Sequence, residues 1–403
     1  MATSGDSRNE GYRGGLRPAA GLVIICLVAA SCQSGSSSIR KGIGSPQLEQ
    51  ITATHVERAS VAKHTWCKAR PNAAWRKALR GGVVAISRRA SVVPLALATD
   101  GRSFFASIYT KAYSGVVRID ATSSRFTKIK RYPDSNSDQA SGSFDGRWLV
   151  WAEYHSLYDT GDFSIWSWDS RTGRLRQIGS AARSPSGEFW TSAWQAPVAF
   201  AGYATWEQGS GQNNVGDIHV VDLESGRDHV VHSGRVGGSF LIDGPLVVWP
   251  ESIAPGALTI MRTAGARTGR IVAAPPALRK IRGGLAPVTD GEALAFIADS
   301  WTSLWWSPSL RTKPRIVISS RDAYTIDNSL QVAGRYVFFG VQPRSYFADG
   351  ASGRYLQINK GGWARLNTKV LVLLKPSAKK ASHGISDIVF LPLKSLPPIP
   401  PCR

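Results

Sequence analysis

One rhythm recurs along most of this chain, and it restricts the fold more than any other feature. Seven segments each hold a short apolar stretch, a glycine-centred turn, a strand, a variable loop, a second strand, another turn and a third strand. The clearest runs from Asp145 to Ile178: DG, RWLVWAEY, the loop HSLYDTGD, FSIWSWDS, the turn RTG, then RLRQI. The next opens at Ala201-Gly202 and continues through YATWE, DIHVVDL, ESG and RDHVV. Others open at Asp100-Gly101, Asp243-Gly244, Asp290-Gly291 and Ala333-Gly334, and the last runs from Thr368 (TKVLVLL) to Asp387 (DIVFLPL). Openings recur roughly every 35–55 residues, the period of a four-stranded propeller blade.

Local chemistry agrees with the period. Asp-Gly, Thr-Gly and Ser-Gly supply the positive-φ residue that tight hairpins need. SIWSWDS and DIHVVDL alternate or run apolar and β-branched, as strands packed between sheets should. Only Pro71 to Leu79, ended by Gly81-Gly82, has an amphipathic helical pattern, so a short helix over 71–80 is expected before the first blade. The expected fold is all-β, a seven-bladed β-propeller of four-stranded antiparallel blades. The last repeat lacks an outer strand, and 82–88 (GVVAISR) is a spare strand. That N-terminal strand is expected to complete the last blade and close the ring, removing two open sheet edges.

Asp145-Gly146, Ile165 to Asp169, Thr172-Gly173, Gly216 to Asp222 and Ser225-Gly226 together resemble the TolB-type, WD40-like propeller repeat. The resemblance covers about residues 91–396. It implies a propeller and leaves function open, because the family includes scaffolds, binding proteins and modules attached to enzymes.

The N-terminus speaks to location. Arg8, Arg13 and Arg17 precede an apolar run from Ala19 to Ala30, followed by Ser31 and Cys32. A basic segment, a short apolar stretch and small residues before a cut site describe a signal peptide over 1–31. The run falls short of the ~20 residues that span a bilayer. Ala29-Ala30-Ser31-Cys32 resembles a bacterial lipobox, which implies lipid on Cys32; simple secretion is the alternative. Residues 32–60 then read as a flexible tether and 61–403 as the propeller, with a C-terminal tail after 396. Two cysteines remain, Cys67 and Cys402, one near each end of the folded part. In an oxidising compartment they are expected to form a disulfide.

Catalytic patterns are missing. No serine sits in G-x-S-x-G, and neither H-E-x-x-H nor a Walker A loop occurs. His229 and His232, three apart on a strand, are expected to point to opposite faces, so no metal is assigned and no cofactor is implied. Asp134, Asn136 and Asp138 copy part of an EF-hand loop, but Gln139 stands where that loop wants glycine. Trp148, Trp151, Trp166, Trp168, Trp206 and Trp249 lie in expected strands and read as core.

Strands of a meander alternate direction, so short DG and TG turns share one side of the ring and long variable loops share the other. The loop side is the expected binding face. It would present Tyr154, His155, Tyr158, Asp159, Glu207, Asn213, Trp301, Arg344, Tyr346, Lys379, Lys380 and His383, with Lys130 and Arg131 between blades. The formal charge of +21 suggests an anionic partner. For an exported chain that means an anionic envelope polymer or another protein, with no nucleic acid. A monomeric, non-enzymatic binding or scaffold lipoprotein on the outer face of the bacterial cell membrane is expected. The alternative is an envelope polysaccharide hydrolase or lyase using carboxylates such as Asp159, Asp162 and Glu207.

Overall fold

A computed structural model describes residues 66–84, 90–132, 138–155, 161–183, 186–187, 196–209, 215–236, 241–243, 246–252, 259–279, 285–298, 302–319, 330–341, 344–359, 364–376 and 386–402. Cys32 and the residues read as signal segment (1–31) and tether (32–60) lie outside them. So do Tyr158, Asp159, Asn213, Trp301, Lys379, Lys380 and His383.

The described chain begins with β1 (Cys67–Ala69), α1 (Ala73–Gly81) and β2 (Val83–Val84). Asn72 starts the helix, its side chain accepting the Trp75 N–H at 3.0 Å. The Gly82 N–H ends it on the Ala78 carbonyl at 3.1 Å. A side chain at Gly82 would meet the Phe390 carbonyl oxygen at 2.6 Å, so glycine lets the chain pass flat onto the last sheet.

The repeats fold as successive antiparallel meanders. In chain order they are β3 (Ser91–Leu97), β4 (Ser103–Tyr109), β5 (Ser114–Asp120) and β6 (Phe126–Arg131); β7 (Asp138–Phe144), β8 (Trp148–Tyr154), β9 (Phe163–Asp169) and β10 (Leu175–Ser180). Then come β11 (Val198–Phe200), β12 (Tyr203–Gly209), β13 (Val215–Asp222) and β14 (Asp228–Arg235); and β15 (Leu241–Asp243), β16 (Leu246–Ser252) and β17 (Thr259–Gly265). After α2 (Pro276–Arg279) follow β18 (Leu285–Thr289), β19 (Leu294–Ala298), β20 (Ser303–Ser307) and β21 (Arg315–Ser319). The last two groups are β22 (Gln331–Ala333), β23 (Tyr336–Val341), β24 (Arg344–Asp349) and β25 (Arg354–Asn359); and β26 (Ala364–Leu366), β27 (Val370–Pro376) and β28 (Ser386–Pro392). The first strand of each sheet lies beside the first strand of the next, and β26 lies beside β3, so the sheets run round a ring. This is a β-propeller.

The expectation of a seven-bladed propeller of four-stranded antiparallel blades, closed by an N-terminal strand over 82–88, is corrected: six such blades are complete among the described residues. Six sheets carry four or more strands, and the sheet of β15–β17 holds only three among the described residues. The sheet of β22–β25 gains a fifth strand, β1, which pairs parallel to β25. Of 82–88 only Val83 and Val84 are described as strand, opposite Val389 and Ile388. Among the described residues, then, that edge is two residues long.

The ends of the ring are held by other means. Cys67 and Cys402 are joined by a disulfide across 335 residues, with Cα atoms 6.0 Å apart. In the chain-entropy model a loop of that length is worth on the order of 4–5 kcal/mol. Cys67 sits on the edge of the sheet of β22–β25, opposite Arg354, and so not on the strand read as the closure. Beside it Trp75, fully buried, donates its indole N–H to the Pro398 carbonyl at 3.1 Å and packs against Phe347. Across the seam between β26 and β3, Arg365 donates to the Leu95 carbonyl at 2.9 Å and Asn367 to the Ala98 carbonyl at 3.1 Å. Burial holds the Arg365 guanidinium down at about 10. The core lies between neighbouring sheets, where Trp148, Trp151, Trp206 and Trp249 are buried.

Candidate functional site

The turn side is built by repetition. Asp145 opens its turn by accepting the N–H groups of Arg147 and Trp148 at 2.9 and 2.7 Å, while its second oxygen takes the N–H of Gly202 in the next sheet at 2.8 Å. Asp290 does the same within its own turn and reaches Gly334 in the following sheet. The aspartate of the DG turn is therefore also a clasp between sheets, a role that turn propensity alone does not reveal.

A second set of aspartates ends the third strands. Asp120, Asp169, Asp222 and Asp349 each cap the following turn through backbone N–H groups. The Arg147 guanidinium grips Asp169 at 2.7 Å and Glu224 of the next sheet at 2.6 Å. Its hydrogen bonds, with others from the turn, hold the Asp169 carboxyl down at about 2. Arg335 clamps Asp349 in the same way. These carboxylates are committed to holding turns and arginines.

The first sheet departs from this scheme. Arg118 turns to Asp100, at 2.7 Å, and to the Ser103 hydroxyl, at 2.9 Å. Burial pushes the Asp100 carboxyl up, but the Arg102 N–H, Ser103 and Arg118 outweigh it and hold the group at about 2. These residues line an open cleft of ≈ 620 Å³ together with Arg102, Asp120 and Arg125.

The loop side brings some expected residues together and disperses others. His155, exposed at the end of β8, faces Asp162 at 3.0 Å through Nδ1 and the Ser164 hydroxyl at 3.2 Å through Nε2. Tyr154 is half-buried, edge-on to Phe163. Arg344 is exposed at the start of β24. Glu207, near the loop end of β12, has its carboxyl raised by burial to about 7.

Three readings are corrected here. Tyr346 is not a loop residue: it is 5 % exposed within β24, stacked on Phe339 and edge-on to Tyr355. Lys130 is not a free cation, since it pairs with buried Glu153 at 2.7 Å and lies 4.4 Å over the Trp166 ring. His229 and His232 share a face, because the pairing shifts between Ile218 and His219 and sets them opposite Val220 and Ile218. His232 packs against Trp249 of the next sheet, and burial lowers its pKa. No group of three or more residues suited to a metal ion occurs among the described residues.

No family model matches the chain, and no curated protein does. Solved structures match in shape. Oligogalacturonate lyase from Vibrio parahaemolyticus superposes with a TM-score of 0.52 and 9% identity, over 78% of this chain and 94% of that one. The β-propeller domain of the Trilobed protease from Pyrococcus furiosus gives 0.52 and 12%, over 75% and 96%. TolB from Acinetobacter baumannii is a looser match, 0.38 and 11%, over 75% and 63%. At these identities the likeness defines a class, the β-propeller proteins, and goes no further.

Proposed function

We propose that this chain is an exported, lipid-anchored propeller that binds an anionic envelope polymer or another protein and performs no reaction itself. The observation that carries the reading is how the turn-side charges are used. Asp145, Asp169, Asp290 and Asp349 are taken up by backbone N–H groups and arginines. Exposed arginines such as Arg102, Arg125 and Arg227 meanwhile remain without a side-chain partner among the described residues. A surface on which most carboxylates serve the scaffold and most spare charges are cationic suits retention of anions.

The anchor and the binding are tested together. A palmitate analogue is expected to label the wild type, and Cys32→Ala to lose the label and release the protein into the medium. Envelope material captured by the intact protein is expected to elute as salt rises, since surface charges are screened over ~10 Å at 0.1 M. Labelling retained in Cys32→Ala, or capture indifferent to salt, contradicts the reading.

One observation favours the alternative, a hydrolase. Ser164, His155 and Asp162 stand in the order hydroxyl, imidazole, carboxylate that activates a nucleophile. Ser164 is only 4 % exposed, so a substrate would have to part the hairpin to reach it.

A further inference from the structure

The first sheet repeats the turn-side sequence but not its pairing. In the second and sixth meanders the arginine after the opening turn grips the aspartate ending the third strand, Arg147 on Asp169 and Arg335 on Asp349. The matching residues of the first are Arg102 and Asp120, and they do not meet. Asp120 is absorbed by its own turn, taking the N–H groups of Thr122 and Ser123 and the Ser123 hydroxyl.

A second difference lies two residues before Asp120. Where the other sheets have Ser167 and Phe347, this one has Arg118, which occupies Asp100 and Ser103. Arg102 and Arg125 are left with no hydrogen bond or ion pair from either guanidinium among the described residues. Both are exposed, and both line the ≈ 620 Å³ cleft, as does the hydroxyl-bearing Thr127. Three guanidiniums therefore line the cleft beside two carboxylates, of which both Asp100 oxygens and one Asp120 oxygen are taken up by backbone N–H groups, hydroxyls and Arg118. A guanidinium offers a planar fork of donors that matches an oxyanion. Arg118, fixed by Asp100 and Ser103, contributes charge that needs no reordering to bind.

We propose that this cleft binds an oxyanion carried on a larger molecule, with Arg102 and Arg125 as its ligating cations and Arg118 as the anchored third. The inference rests on the binding reading above and deepens it, placing the anion on the turn side of the ring. Phosphate and carboxylate groups share the required chemistry.

Fluorescence anisotropy with labelled short polyphosphate and labelled polyglutamate at low salt separates these two sources. The paired variant Arg102→Gln/Arg125→Gln is compared with Arg171→Gln/Arg174→Gln, which removes the same charge from exposed turn residues of the next sheet. The first pair is expected to weaken binding of at least one probe about ten-fold or more, and the second less than about two-fold. Melting temperatures of both are expected to match the wild type, because no described hydrogen bond from these side chains is lost. Equal loss from the two pairs overturns the cleft while leaving diffuse anion binding in place. Failure of the wild type to bind either probe also overturns it, and capture from envelope material then decides the broader reading separately.

Discussion

The turn side and the loop side of this ring are made from the same strands under opposite rules. On the turn side two devices recur: an aspartate caps a turn and reaches the next sheet, at Asp145 and Asp290, and an arginine locks the end of a strand, at Asp169 and Asp349. On the loop side the described polar groups show no such copying: His155 meets Asp162 and Ser164 within its own hairpin, while Lys130 reaches Glu153 of the next sheet. What repeats in the sequence therefore reports on how the ring is held. What departs from the repeat, whether a variable loop or the unpaired arginines of the first sheet, is where binding is to be sought.

The largest effect should come from breaking a copied clasp. Asp145→Ala removes the cap of one turn and the acceptor for Gly202 in the next sheet, and is expected to cost about 2–3 kcal/mol. His155→Ala, on the opposite side and exposed, is expected to cost less than about 1 kcal/mol. Denaturant unfolding of the two variants measures both. Equal losses would erase the distinction between the sides.

A smaller, pH-dependent effect sharpens the comparison at Glu207. Burial raises its carboxyl from 4.5 to about 7 in the folded chain, so the folded state binds this proton more tightly than the unfolded state. Stability from this group is full below about pH 4.5 and is lost as pH rises towards and through 7. The loss is about 2 kcal/mol once its partial exposure is allowed for. Glu207→Gln is expected to flatten melting temperature against pH over that window. An unchanged slope in the variant would show that Glu207 does not carry the titration.

Much of this fold was legible in the sequence, for identifiable reasons. The opening turns were readable because only glycine adopts the required backbone freely: Gly101, Gly146, Gly202, Gly291 and Gly334 all have positive φ. The helix was readable from the amphipathic stretch Pro71 to Leu79 and the Gly81-Gly82 that ends it, and the cysteine pair from its place at the two ends. The parallel pairing of Cys67–Ala69 was not, because three residues carry no period. The shared face of His229 and His232 was hidden by a bulge, which leaves no mark on spacing. Tyr346 was misplaced because β24 begins at Arg344, earlier than the apolar run suggests. The clasps from Asp145 to Gly202 and from Asp290 to Gly334 were invisible, since they join residues of different repeats. The unpaired Arg102 could have been suspected: Arg118 is a cation where the corresponding residues are Ser167 and Phe347.

A binding propeller holds its polymer intact, whereas a hydrolase cuts it. The most direct measurement is the size distribution of envelope polymer eluted from the protein after prolonged incubation. Binding without chemistry predicts that the polymer comes off at its original length. Shortened material from the wild type, absent with Ser164→Ala or Glu207→Gln, would contradict the account and place the reaction on the loop side.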